Sequence, residues 1–462
     1  MKHFSILHFI ALALLLSNAV TFAAGTIYYV DCNNGSNDNH GMSPQQAWKD
    51  IQTTAEFPII PGDIVLFKKD CVWSHPQVGL DITVSGTPTS QILFSSYGGG
   101  LNPPAFEGTR QDRSFGIRID AEWVIINNLS VIGGKNAGIY YQDNAHNTIV
   151  SNIDISNVGF GIFINSNNNT IVHNTIHDLY MVKNTPSGDD DYGATGIVIS
   201  GSNNEIYSNI INNSIDKSYD YGVDGGVFEF WSQDNKVVEN NYIHHNWGED
   251  SDGFLEIGAN NGEIIRNNTF AYNVSVNNGS AGVFHIAEGF SNYGATIKNL
   301  KFHNNTFYEI KNELNFSQDR ISNLSLFWFS AIPQPQTFYM QNNLFYIEGF
   351  RHFIYPLDRD SFIHSYNLYF FPNSSKMSFW LTPDASEIIG INPLFSDRNQ
   401  HDLTLSVLSP AVDTGTITFN PNGTIYTLDY LERAVPIDGN GDGEMNFDIG
   451  AFEFRPPLLA SP

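Results

Sequence analysis

Between residues 121 and 395 the chain alternates short apolar stretches with turns rich in asparagine and glycine, and two kinds of stretch recur in fixed order. One has the form apolar-apolar-x-Asn-x-apolar: VIINNLSV, TIVSNIDI, TIVHNTIH, EIYSNIIN, KVVENNYI, EIIRNNTF, LKFHNNTF, FYMQNNLF and a weaker IHSYNLYF. The other precedes it and opens on glycine: GIYYQ, GIFIN, GIVIS, GGVFEF, GFLEI and GVFHI. Both alternate with the period of a strand and neither carries a helical period. Taking Asn128, Asn152, Asn174, Asn209, Asn240, Asn267, Asn304, Asn342 and Asn367 as the repeat register, the spacing runs from about 22 to about 38 residues. A coil of three short strands and three turns needs about 22 residues, and any excess becomes loop. Propeller blades need about 40–45, which the shorter spacings exclude. Asparagine suits tight turns, because it tolerates left-handed backbone and its amide can bond the amide one coil away. These features predict an all-β fold, a single-stranded right-handed parallel β-helix.

A solenoid must cover its open ends. Residues 24–120, an N-terminal cap with the first coils, and 396–462, a C-terminal capping segment, break the repeat and flank the coils of 121–395. The start, MKHFSILHFIALALLLSNAVTFAAG, has a lysine, a short apolar run and small residues at a cleavage position. This predicts a signal peptide over 1–23 and a secreted, extracellular protein. No later stretch is apolar enough for a transmembrane segment. In an exported protein Cys32 and Cys71 are expected to pair, the alternative being two separate buried thiols.

The ends carry a resemblance. IYYVDCNNGSNDNHGMSPQQAWKDIQ, PGDIVLFKKDCVW and SGTPTSQILFSSYGGGLNPPAFEG resemble the opening of secreted bacterial right-handed β-helix proteins of the pectate-lyase-like group. NPLFSDRNQHDLTLSVLSPAVDTG and IDGNGDGEMNFDIGAFEF resemble their closing segment. The resemblance covers nearly the whole mature chain and implies the fold. The group holds lyases, hydrolases, epimerases and adhesins, so it does not choose a reaction.

Within the glycine-led strands, three consecutive copies carry a polar residue where strand alternation points outward: Glu229, Glu256 and His285. Leu255 and Ile257 are expected to face the core, and Phe254 and Glu256 the outside. Ile164 and Ile199 are read as the corresponding apolar positions of earlier coils. Strands in adjacent coils lie about 4.7–4.9 Å apart. The two glutamates would then perturb each other, leaving one ionised and one protonated, the condition for acid/base work. The turns before these strands gather Asp189, Asp190, Asp191, Asp220, Asp224, Glu249, Asp250 and Asp252, with Tyr192, Tyr219, Tyr221 and Trp247, and Trp231 at a strand end. Flat aromatic faces beside carboxylates suit sugar rings.

The composition narrows the partner. Of 462 residues only 15% are charged, yet the formal net charge is −26, which repels nucleic acid and anionic membranes. The 41% hydrophobic content excludes a disordered chain. The expected activity is a glycoside hydrolase on a polysaccharide or oligosaccharide, acting as a monomer without an organic cofactor. Glu229 and Glu256 form the carboxylate pair, His285 orients a carboxylate or hydroxyl, and Asp224 and Asp252 are reserves. Tyr192, Tyr221, Trp231 and Trp247 would bind sugar.

Two alternatives stay open. In a Ca²⁺-dependent polysaccharide lyase the turn acids would hold the ion, although basic residues nearby are few: Lys183, Lys217, Lys236 and Arg266. In an adhesin the stripe would bind glycan without cleaving it. Separately, DGNGDGEMNFD offers Asp438, Asn440 and Asp442 before Gly443, in the pattern of a calcium loop. The loop's last position is Ile449 rather than glutamate, with Asp448 one residue earlier, and a structural Ca²⁺ is expected there. The alternative is a turn with solvated acids.

Overall fold

A computed structural model describes residues 25–456, apart from 189, 233–235, 260–262, 280–281, 289–295, 311–324, 330–335, 356–358 and 374–377. The expected signal peptide lies outside the described residues, as does Asp189. The chain winds as a right-handed parallel β-helix whose coils contribute to three long sheets. The first runs through 12 strands from Ile27–Val30 to Phe362–Ser365. The second runs from Val78–Ile82 to His352–Tyr355, and the third from Val72–Ser74 to Ile388–Ile389. Strand pairing along all three is parallel and in register, coil upon coil.

The asparagines make two ladders rather than one. At the corner between the first and third sheets, one residue takes left-handed backbone (His173, Ser208, His245, Tyr272, Asn304, Asn342, Tyr366) and the next is a buried asparagine. Each such Oδ1 accepts the backbone N–H of its predecessor, linking Asn174, Asn209, Asn246, Asn273, Asn305, Asn343 and Asn367. A second ladder links Asn169, Asn204, Asn241 and Asn268 at the next corner. The register read from the sequence therefore mixes positions. Asn174, Asn209 and Asn367 are rungs, Asn304 and Asn342 are the left-handed residues beside rungs, Asn128 and Asn152 are left-handed residues followed by the buried Leu129 and Ile153, and Asn240 and Asn267 belong to the other corner. Each ladder amide satisfies backbone groups that no water reaches.

The strands of the second sheet open at a corner where two successive residues turn inward. Register pairs Thr195 with Gly226 and Ile197 with Phe228, and between them Gly196 and Val227 stand opposite one another, both turned inward. At Gly196 the space is filled by Ile211; at Val227 Gly248 makes room. The equivalent residue in the following coil is Phe254, which is fully buried rather than outward, because two successive residues face the interior at this corner. Beyond it the alternation resumes, with Leu255 and Ile257 inside and Glu256 out.

The ends are closed by aromatic clusters. Tyr28 stacks on Trp48 at 4.6 Å beneath the first coils, and Phe371, Phe379 and Leu381 cover the last. Cys32 and Cys71 form a disulfide with a Cα–Cα distance of 5.8 Å. From Phe395 the chain turns back along the flank of the third sheet, where Leu403, Leu405, Ala411, Ile449 and Ala451 pack on Val274, Val276, Tyr308, Tyr346 and Leu368. No helix among the described residues is long and apolar enough to cross a membrane.

Candidate active site

Glu229 lies directly across from Glu256, and Glu256 from His285, in three adjacent strands of the second sheet. The same column continues through Trp328 and Tyr355 on one side, and through Val198, Phe163, Tyr140, Arg118 and Asp81 on the other. The apolar neighbours in earlier coils are thus Val198 and Phe163. Ile199 and Ile164, read as those neighbours, pair with Phe230 and Tyr141 and point inside.

The three polar side chains are half-buried, and each is held by a neighbour. His285 Nδ1 lies 3.1 Å from Glu256 Oε1, and the His285 ring stacks on Trp328 at 4.3 Å. The Thr195 hydroxyl donates to Glu229 Oε2 at 3.2 Å. Asp224 arrives from a hairpin in which Ile215–Ser218 pairs antiparallel with the start of Gly222–Ser232. Its Oδ1 accepts the Gly225 N–H at 2.8 Å. Burial, and then Glu256, push the Glu229 carboxyl up to about 8. Asp224 is raised far above the usual carboxylate range by burial first, then by Glu256, Asp252 and Glu229. The site therefore gathers four carboxyl groups, and their burial and proximity favour the protonated form of Glu229 and of Asp224.

Trp231, two residues beyond Glu229 on the same face, lies against Gly258 of the next coil. A Cβ at Gly258 would sit 2.5 Å from the indole ring, so the glycine is what lets the ring extend beside the carboxylates. Tyr192 is exposed, on a short strand paired antiparallel with Met181–Lys183, and stacks on Phe160 of the second sheet at 6.1 Å. Tyr221 is half-buried on the Asp224 hairpin, its N–H bonded to the Ser218 hydroxyl.

Trp247 does not join them. It belongs to the third sheet, where its indole N–H donates to Glu249 at 2.9 Å and its ring packs on Tyr430. Glu249 in turn pairs with His401 at 2.7 Å, so both residues fasten the C-terminal segment. His244 and His245 are likewise structural, stacked among Tyr207, Tyr242 and Tyr272.

Asp190, Asp191 and Asp220 bring carboxylate oxygens within 4.8 Å of one another. Backbone donors already engage them: Asp220 accepts from Asp190 and Asp191, and Asp191 from Thr185, Tyr219 and Asp220. Lys183 pairs with Asp190, Lys236 with Asp143 and Arg266 with Glu239. In the C-terminal loop Asp438, Asn440 and Asp442 do stand together: Asp438 accepts from the backbone amides of Gly441, Asp442 and Gly443, Asn440 from that of Asp442, and Asp442 from the Asn440 side-chain amide and the Glu444 N–H. Asp448 turns elsewhere, accepting from Asp413 and Phe454 within a buried group that includes Asp429 and Glu453.

Thr195, Gly258 and Trp328 escape a reading of the sequence alone. Trp328 carries the weakest mark, since its strand opens with Ser325 where the related strands open with glycine.

The fold, a parallel β-helix, is shared with proteins of known structure. Among solved structures the chain is similar to pectate lyase Pel9A, with a TM-score of 0.57, 16% identity, and 94% of this chain and 98% of that one covered. It is also similar to a rhamnogalacturonan lyase, with a TM-score of 0.53 and 12% identity over 87% of this chain and 95% of that one. No protein-family model and no curated protein sequence matches the chain.

Proposed function

We propose that this protein is a carbohydrate-active enzyme that hydrolyses glycosidic bonds, with Glu229 as proton donor and Glu256 as nucleophile. The observation that carries this reading is the pairing of Glu229 with Glu256 across adjacent coils, Glu229 being pushed up to about 8. Adjacent coils stand about 4.8 Å apart, close to the carboxyl separation of about 5–5.5 Å used by retaining glycosidases. Glu229 gives its proton to the leaving oxygen as the glycosidic C–O bond breaks, and the Glu256 carboxylate bonds to the anomeric carbon. Water then displaces Glu256, giving its own proton back to Glu229. His285, held against Trp328, fixes the Glu256 carboxylate, and Trp231 offers a face to the sugar ring.

A specific observation keeps a second reading alive. The Asp190–Asp191–Asp220 group could bind Ca²⁺ and offset a uronate carboxylate, as a polysaccharide lyase requires. The test is a panel of neutral and uronic-acid polysaccharides, each with added Ca²⁺ or EDTA. Reducing ends formed without an unsaturated product, and lost in Glu229→Gln and Glu256→Gln, support hydrolysis. An unsaturated, ultraviolet-absorbing product that EDTA abolishes replaces it with the lyase, and binding without turnover replaces both with an adhesin.

A further inference from the structure

The face that carries the carboxylates is closed on one side, directly beside Glu229. Along the outward column Phe163, Glu229, Glu256, His285, Trp328 and Tyr355 are all half-buried, but Val198 is only 1% exposed. The rest of the Val198 strand behaves alike. Ile197 and Ile199 point into the core, while Thr195 at 5% and Ser200 at 1% complete a covered outer face. No outward residue of this stretch is open to solvent.

Two excursions flank that strand. On one side the hairpin of Ile215–Ser218 with Gly222–Gly225 rises just ahead of Glu229 and is tied down by Gly226 N–H on Ala194 O. On the other side Lys236, four residues past Ser232, reaches back across the Ser200 coil. Its ammonium bonds Asn165 at 2.6 Å and Asp143 at 3.0 Å, both in earlier coils. The side chains of Glu256 and His285, by contrast, are 32% and 27% exposed, and the column beyond them continues through aromatic rings.

From this we infer that the enzyme acts on a chain end and releases short products. The inference rests on the hydrolase reading above and adds where the substrate is cut. A glycan reaches the carboxylates along the open column past Tyr355, Trp328 and His285. Beyond Glu229 the covered strand begins one coil step away, about 4.8 Å, roughly one sugar ring. Only a terminal unit of one or two sugars fits between the scissile bond and the wall. A long chain threaded through the site would have to cross Val198, which the wall forbids.

The experiment follows the first products of the wild-type protein on xylan, arabinan, galactan and polygalacturonate, and on their oligosaccharides in free and reducing-end-reduced forms. The expected result is one product of one or two units from the earliest time, with polymer viscosity unchanged as reducing ends accumulate. An early fall in viscosity with a ladder of internal fragments overturns chain-end action but leaves hydrolysis standing. No cleavage of any of these glycans overturns both. In Lys236→Ala, which removes the tie across the Ser200 coil, longer products are expected to appear. An unchanged product there overturns the assignment of the wall to that tie.

Discussion

Glu229 and Glu256 occupy the same register position in neighbouring strands, so the stacking of the solenoid itself sets their separation. Neither loop movement nor a hinge is needed to bring them together, and the proton that one of them holds follows from that forced proximity and from burial. Replacing either carboxyl by its amide keeps the shape and removes the chemistry. Glu229→Gln and Glu256→Gln should each lower kcat by about 10²–10⁴-fold with thermal stability preserved. A loss of kcat no greater than a few-fold in both would remove the pair from the reaction.

The proton on Glu229 sets an alkaline limit. Its folded-state value of about 8 keeps it an acid across neutral pH, and above that value the donor is progressively lost. The rate should therefore hold to about pH 8 and fall about tenfold per unit beyond it. The same limb should vanish from the residual activity of Glu229→Gln. A pH–rate profile of kcat/KM in which the variant keeps the same alkaline limb would assign that limb to another group.

Trp231 owes its position to an absent side chain. A methyl group on Gly258 would meet the indole at 2.5 Å, and Gly258 has no left-handed backbone that alanine would strain. Gly258→Ala should push the ring away without disturbing the coil. Loss of one stacking face is worth about 0.5–1.5 kcal/mol, so KM should rise up to about tenfold with kcat changed little, and Trp231→Ala should reproduce the effect. Equal kcat and KM for the variant and the parent would show that the ring does not touch sugar.

Much of this is legible in the sequence, for a physical reason. In a parallel solenoid a residue's neighbours one coil away are its sequence equivalents, so aligning GGVFEF, GFLEI and GVFHI places Glu229, Glu256 and His285 in one file. The strand-level alternation fails at Phe254, where the corner turns two residues inward, and the alignment of earlier coils is off by one at Ile164 and Ile199, which point inside. The asparagine register slipped because the left-handed residue and the ladder residue are adjacent, and often both are asparagine. Trp247 was misplaced for a different reason. Its outward position is real, but residues near 401 and 430 return to cover it, and nothing local announces a contact made from so far along the chain.

The ladders make a strong prediction about stability. Asn209 is buried. Its Oδ1 accepts from the backbone N–H and the side-chain amide of Asn174, while its own amide donates to Ile171 O and Asn246 Oδ1. In Asn209→Ala a backbone N–H and a carbonyl are left buried without partners, at about 1–3 kcal/mol each. Stability should fall by about 3 kcal/mol, visible as a lower denaturant midpoint. A midpoint within error of the parent would mean that the corner relaxes to re-pair those groups.

The C-terminal segment should loosen as pH rises. Asp413, Asp429, Asp448 and Glu453 are all buried together, and Arg433 pairs with Asp429. Burial first, then the neighbouring carboxylates, raise Asp448 to about 7 and Glu453 to about 9. A carboxyl whose folded value lies above its unfolded one favours the fold while protonated. That contribution is whole below the unfolded values near 4 and is lost as pH climbs through about 7 and then about 9. Melting temperature should therefore decline between pH 5 and pH 9, with proteolysis within 395–456 rising over the same interval. Glu453→Gln should start lower at pH 5, because its new NH₂ group faces a backbone donor, yet decline less steeply. Cleavage of this segment that is independent of pH, or a variant as steep as the parent, would place the alkaline loss elsewhere, with Asp224 and Glu229 the next groups to examine.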